Sequence, residues 1–250
     1  MREHEVFIVK KYNKYRFKIT YLQSVCVGGL EDKKEHNAKG SVNDSKLSNN
    51  LSRAKSKINE YAQCNSWDYF VTFTLNKDKY DRYNLKQFQK DFSEFLHGYN
   101  KRCDEDEKVK YILVPEQHKD GAWHMHGLIK GIKKKDIVVN NNGYLTWKKY
   151  NDKFGYMSMD TIKDKDKVSS YILKYITKDS EKNVKELNAH MYYASKGLKT
   201  AEVVMRSNTV DKKFNFTWDW EHPDGYVKFK NIDTRKEKVS DYLEIENEII

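Results

Sequence analysis

Apolar and polar positions alternate around Val6 and Ile8, and again at Tyr15, Phe17, Ile19 and Tyr21, which predicts a strand hairpin within residues 5–30. Residues 31–50 are polar throughout and predict a mobile linker. Leu51 to Ala62 has the spacing of a short helix. Trp67 to Leu75 (WDYFVTFTL) is β-branched or aromatic almost without a break, the composition of a buried central strand. Asn84 can cap a helix in which Leu85, Phe88, Phe92, Phe95, Leu96 and Tyr99 recur at helical spacing. That helix ends near Lys101 and Arg102, where positive charge suits the helix dipole. Two strands follow, Lys110 to Gln117 and Ala122 to Lys130. A small hairpin or helical insert (138–154), a strand from Gly155 to Asp160 and a helix over 166–178 complete the central region. Beyond residue 190 the pattern weakens: Tyr226 to Phe229 reads as a strand, and the tail as helical or disordered.

The order β-α-β-β-insert-β-α predicts an α+β fold, an antiparallel sheet with helices packed on one face, ferredoxin-like in outline. Three segments are expected: an N-terminal hairpin with its linker (1–50), a central domain (51–190) and a C-terminal extension with an acidic tail (191–250). Charged residues make up 34% of the 250-residue chain, against about 25% in an average protein, so the surface is heavily solvated. The longest stretch without a charge, Ile19 to Leu30, has 12 residues. A membrane span needs about 20, so no membrane association is expected. The three cysteines, Cys26, Cys64 and Cys103, follow no zinc or disulfide spacing and fit a reducing cytoplasm.

The net charge is +10, and Asp233 to Ile250 holds six acids against three bases, so the body is more basic than the sum. A basic body points to a polyanionic partner, most often nucleic acid.

The densest chemistry lies in ValProGluGlnHisLysAspGlyAlaTrpHisMetHisGlyLeuIle, 114–129. Residues two apart share a face of a strand, so His124 and His126 project together, with Trp123, Met125 and Leu128 assigned to the other side. Asp120-Gly121 is a turn signal. A three-residue loop, Lys119-Asp120-Gly121 with Gly121 left-handed, pairs His118 with Ala122 and sets Glu116 opposite His124. Two imidazoles and a carboxylate then converge on one side of the sheet, a donor set for a divalent cation, Mn²⁺ or Mg²⁺, though zinc is also chemically compatible. His118 shares that face and rivals Glu116 as the third ligand.

A second constellation is SerSerTyrIleLeuLysTyrIleThrLys, 169–178. At about 100° per residue, Tyr171, Lys174, Tyr175 and Lys178 fall in one arc, and Val168, Ile172, Leu173 and Ile176 fall on the opposite, buried side. A phenol with a free pKa near 10 is a weak nucleophile. An ammonium such as that of Lys174 favours the phenolate and can also hold a phosphate oxygen.

The strand PheValThrPheThrLeuAsn (70–76), the Glu116…His124-Met125-His126 hairpin and Tyr171-x-x-Lys174-Tyr175 come in the order of the three motifs of rolling-circle replication initiators. The chain thus resembles the HUH endonucleases over about residues 67–180, most closely the two-tyrosine initiators of phages and plasmids. The resemblance implies a palm-like fold of antiparallel strands, with His124, His126 and Glu116 as metal ligands. It further implies Tyr171 as first nucleophile, Tyr175 as the partner acting at termination, and Lys174 as the phosphate-facing lysine. The expected partner is single-stranded DNA at a replication origin, in the cytoplasm of a bacterium carrying a phage or plasmid. Lys133, Lys134, Lys135 and Lys178 are further candidates for phosphate contact. The sequence contains no phosphate-binding Gly-x-x-x-x-Gly-Lys-Ser/Thr loop, so a host helicase and a host polymerase are expected to act with it. Trp123, directly before the histidines, departs from the family pattern and raises the question of access to the metal. A relaxase or single-strand transposase is the near alternative. Relaxases usually carry the tyrosine before the histidines, whereas here Tyr171 follows them. A non-catalytic nucleic-acid-binding module with structural histidines is the alternative from another class.

Overall fold

The computed structural model describes residues 2–26, 44–164, 167–178, 190–207, 217–239 and 242. The chain divides into two compact units, one of Met1–Ser41 with Thr200–Ile250, the other of Val42–Lys199.

The first unit begins with the expected hairpin, β1 (Arg2–Lys11) and β2 (Arg16–Cys26). Asn13 turns the chain between them, its Oδ1 accepting from the backbone N–H groups of Tyr15 and Arg16. The hairpin lies inside a five-stranded antiparallel sheet whose other members come from the far end of the chain. Numbered in chain order, with β3 to β9 in the second unit, they are β10 (Glu202–Ser207), β11 (Trp220–Glu221) and β12 (Val227–Asp233). Their order is β10-β1-β2-β12-β11. Segments 1–50 and 191–250, separate in the sequence reading, therefore contribute strands to one sheet. Its core is Phe7, Val9, Phe17, Ile19, Ile232 and Val239. The acidic tail beyond residue 242 lies outside the described residues.

In the second unit the first helix, α1 (Asp44–Cys64), is longer than its apolar spacing predicts and starts within the stretch read as linker. Residues 31–43 lie outside the described set. Strand β3 (Tyr69–Thr74) occupies the middle of a seven-stranded antiparallel sheet. Its neighbours are β4 (Lys110–Gln117), β5 (Trp123–Lys130), β6 (Ile137–Val139), β7 (Leu145–Trp147), β8 (Met157–Thr161) and β9 (Tyr193–Ala194), in the order β6-β7-β8-β3-β5-β4-β9. Between the strands run α2 (Leu85–Asn100), α3 (Lys148–Lys153) and α4 (Val168–Lys178). Asn84 caps α2, its Oδ1 accepting from the N–H of Gln87 at 3.0 Å.

The helices lie on both faces of this sheet rather than on one. Val71, Phe73, Met125, Ile129, Met157 and Met159 pack with Phe88, Phe92 and Leu96 of α2 and with Trp147, Tyr150 and Phe154 around α3. The alternate residues Ile112, Val114 and Leu128 pack with Ile58 and Ala62 of α1 and with Val168, Ile172 and Ile176 of α4. A strand with apolar side chains in both phases requires cover on both sides, which is why the β3 sequence shows so little alternation. Among the described residues, no helix is long and apolar enough to cross a membrane.

Candidate active site

The β4–β5 hairpin has the predicted geometry. Gly121 adopts φ +85°, a left-handed conformation that its lack of a Cβ permits. The N–H of His118 donates to the carbonyl of Ala122 at 2.9 Å, and the N–H of Gly121 to the carbonyl of His118 at 2.9 Å. Asp120 Oδ1 accepts from the N–H of Ala122 at 3.1 Å, and Arg82 pairs with the Asp120 carboxylate at 3.3 Å. The resulting register sets Glu116 opposite His124 and Val114 opposite His126. Leu128 lies on the histidine face, not with Trp123 and Met125, because the two-residue period runs unbroken through β5. Trp123 is buried on the opposite face and does not stand over the histidines.

On the other side of β5, β3 sets Thr72 opposite His126 and Thr74 opposite His124. Thr72 Oγ1 lies 3.0 Å from His126 Nδ1, and Thr74 Oγ1 lies 3.0 Å from His124 Nδ1. His126 Nε2 is turned toward β4, 2.7 Å from Glu116 Oε2. That approach lacks the alignment of a hydrogen bond, and the buried Nε2 has no hydrogen-bond partner among the described residues. Glu116, His118 and His126 each present a ligand atom, all within 4.8 Å of one another. One carboxylate oxygen and two imidazole nitrogens around a common point, one of them buried and unsatisfied, fit a divalent cation.

The composition of this cluster differs from the expected His124, His126 and Glu116. His118 joins Glu116 instead of replacing it, and His124 is not among the three. The cause is local. Thr74 holds the His124 ring through Nδ1, and the turn lays the His118 ring face to face on it, with centroids 3.7 Å apart. The His124 and His126 centroids are 6.3 Å apart. Burial, reinforced by the charge of neighbouring imidazoles, pushes His124 and His126 down to about 4, from an ordinary value of 6.5. Both are therefore neutral near pH 7, the form that binds metals.

Helix α4 brings the tyrosines to this face. Its stripe of Val168, Ile172 and Ile176 is buried, which places Tyr171 and Tyr175 along the edge of the stripe. Tyr175 is half-buried instead of lying on a solvated face. Its ring stacks on His126 with centroids 4.1 Å apart and an interplanar angle of 11°, and on Phe70 at 5.6 Å. Burial, then the charges of Glu116 and Asp160, push its phenol above the ordinary value. Tyr171, one turn earlier, is 52% exposed and leans on Phe70 at 6.4 Å. Lys174 Nζ lies 5.0 Å from its ring centre. A cavity of about 330 Å³ opens beside Tyr171, floored by Phe70, Leu128 and Val168 and rimmed by Lys163 and Lys167.

The remaining lysine candidates are not brought to this cluster. Lys133 to Lys135 follow the end of β5 remote from the histidines, where Lys134–Asp136 forms a short 3₁₀ turn. Lys178 closes α4, and its side chain lies outside the described set. Sequence reasoning missed Thr72 and Thr74, which it read only as β-formers, and Arg82, whose charge acts on His124. The available signal was the matched spacing: Thr-x-Thr on one strand and His-x-His on another.

Residues 68–180, somewhat less than half of the chain, match a family model described as a replication-associated protein of the ORF2 type. No curated protein and no solved structure matches the chain. The matched segment begins just before β3 and ends just after α4, so it contains the carboxylate–imidazole cluster and both tyrosines. It supports a role in the initiation of replication.

Proposed function

We propose that the chain is a rolling-circle replication initiator of the HUH type that nicks one DNA strand at an origin through a tyrosine of α4. The observation that carries this reading is the stacking of Tyr175 on His126, 4.1 Å between centroids, beside the Glu116 and His118 donors. Phenols and metal ligands come from elements far apart in the chain and meet on one face of one sheet. Packing alone does not call for that combination.

Glu116, His118 and His126 would hold the cation, with His124 beside them, and their mixed oxygen and nitrogen donors suit Mn²⁺ or Mg²⁺. Lewis-acid polarisation of a non-bridging phosphate oxygen is the chemistry that such a cation supplies when bound. The protein's own residues do the rest. The Tyr171 oxygen forms a bond to phosphorus as the bond from phosphorus to the 3′-oxygen breaks. A 5′-phosphotyrosyl ester and a free 3′-hydroxyl result, and the phenol proton ends on the leaving oxygen. Lys174 offsets negative charge on phenolate and phosphate. A host polymerase extends the 3′-hydroxyl, and a host helicase opens the duplex. Because the ester is transferred and not hydrolysed, Tyr175 can accept the next strand and the first can be rejoined. The cavity beside Tyr171, near the lower limit of ligand-pocket volumes, offers an unpaired base an apolar floor and a basic rim.

A specific observation favours a second reading, in which the tyrosines act in the reverse order: Tyr175, not Tyr171, is in contact with His126. One experiment tests both. The protein is incubated with Mn²⁺ and labelled single strands spanning the origin, and denaturing gels are read for a covalent adduct. The adduct should form with the wild type, vanish in excess chelator without loss of fold, and be absent from the Tyr171→Phe/Tyr175→Phe double variant. Loss in Tyr175→Phe but not in Tyr171→Phe would establish the reverse order. Cleavage without an adduct would replace the proposal with a metal-dependent hydrolase.

A further inference from the structure

Strand β3 supplies no metal donor, yet its outward stripe lies directly under every group invoked above. Phe70 is beneath the two tyrosines, Thr72 is opposite His126, and Thr74 is opposite His124. We infer that Thr72 and Thr74 are positioning residues that accept the Nδ1–H of His126 and His124 and thereby hold the Nε2 lone pairs toward the metal. This inference rests on the proposed function, because it assigns a purpose to the same cluster.

Three observations carry it. Both Oγ1···Nδ1 distances are 3.0 Å, and the two pairs repeat the same geometry one strand period apart. A ring anchored through Nδ1 must direct Nε2 away from β3, and His126 Nε2 does face β4 and the Glu116 carboxylate. That nitrogen is buried without a hydrogen-bond partner among the described residues. A protonated Nε2 in this position would be a buried donor left unsatisfied, which is unfavourable. A lone pair there instead makes a ligand. Outer partners of this kind fix tautomer and ring orientation in metal sites, and losing one typically weakens metal binding by about 10- to 100-fold. Either threonine could serve a strand equally well as valine. Only the hydroxyl explains why the two threonines face the two histidines.

The test uses the full-length protein and Mn²⁺ alone. Thr72→Val and Thr74→Val keep the β-branched shape and remove the acceptor, whereas Thr72→Ser and Thr74→Ser keep it. Titration calorimetry should show Mn²⁺ affinity reduced by about 10- to 100-fold in Thr72→Val, less in Thr74→Val, and close to wild type in the serine variants. In the metal-free protein, long-range ¹⁵N–¹H correlations should report Nδ1-protonated imidazoles for His124 and His126. The valine substitution should release the facing ring to the Nε2-protonated form. If the wild type binds Mn²⁺ and the valine variants bind it equally with unchanged tautomers, the inference falls and the proposed function stands. If the wild type binds no Mn²⁺, the metal reading falls and takes the inference with it.

Discussion

The two faces of the seven-stranded sheet are built from the same strands, residue by alternate residue, and differ in chemistry. On the α2 face, Phe73, Phe88, Phe92, Trp147, Tyr150 and Phe154 form one closed aromatic core. On the α4 face, apolar packing extends only from Ile112 and Leu128 to Val114. Beyond that edge stand Thr72, Thr74, Glu116, His124 and His126, with Tyr175 at the boundary. The closed face holds the strands in register. The divided face uses that register to set polar groups opposite one another without having to fold around them. A site built this way should tolerate changes that abolish its chemistry, and the core should not tolerate truncation.

A pair of substitutions tests this contrast most strongly. His126→Gln should reduce nicking by at least the ~100-fold known for outer-shell partners, since a ligand is removed outright, while leaving the melting temperature within a few degrees. Phe92→Ala, in the closed core, should cost about 3–5 kcal/mol, lowering the melting temperature by roughly 10 °C. Thermal melts beside adduct gels would separate the two effects. If His126→Gln unfolds the protein, the polar region is structural and the contrast fails.

A smaller effect should appear with pH. His124 and His126 titrate near 4 in the folded protein and near 6.5 when unfolded. Between those values the unfolded chain binds more protons, so acid favours unfolding there. The contribution from these residues is complete above pH 6.5 and is lost as the pH falls toward 4. Urea midpoints of the metal-free protein across pH 4–7 should therefore decline on acidification, and a His124→Asn/His126→Asn variant should flatten that decline. A slope unchanged in the variant would place its origin elsewhere.

How much of this the sequence discloses depends on the range of the interaction. The β4–β5 hairpin was legible because an Asp-Gly turn and the parity of His-x-His are local and together fix register. The α2 helix and its Asn84 cap were legible for the same reason. The partners of β3 were not: that Thr72 and Thr74 face the histidines depends on β3 lying beside β5, about 50 positions away in the chain. Helical arithmetic found the side of α4 that is buried, but which neighbours flank that side is a tertiary matter, and so Tyr175 lies against His126 instead of in solvent. The pairing of β2 with β12 joins the two ends of the chain and left no trace in either segment. The inclusion of His118 with Glu116, in place of His124, arises from ring stacking at the turn, a detail finer than strand parity resolves.

The smallest expected effect concerns the lysines. Because Lys133 to Lys135 follow the end of β5 remote from the cluster, replacing all three with alanine should weaken binding of short single strands by less than about 3-fold, and should leave the dependence of log K on log salt nearly unchanged. A slope reduced by about 2 would instead indicate that all three contact phosphates.

The most direct test of the central claim is to locate the DNA on the protein. Trypsin cuts after Lys167, Lys174 and Lys178, which releases residues 168–174 with Tyr171 and residues 175–178 with Tyr175 on separate peptides. After reaction with single-stranded origin DNA and digestion by nuclease and trypsin, mass spectrometry should find a nucleotide 5′-phosphate on 168–174, or on 175–178 if the order is reversed. A nucleotide on neither peptide, from a sample in which the strand has been cut, would contradict the account.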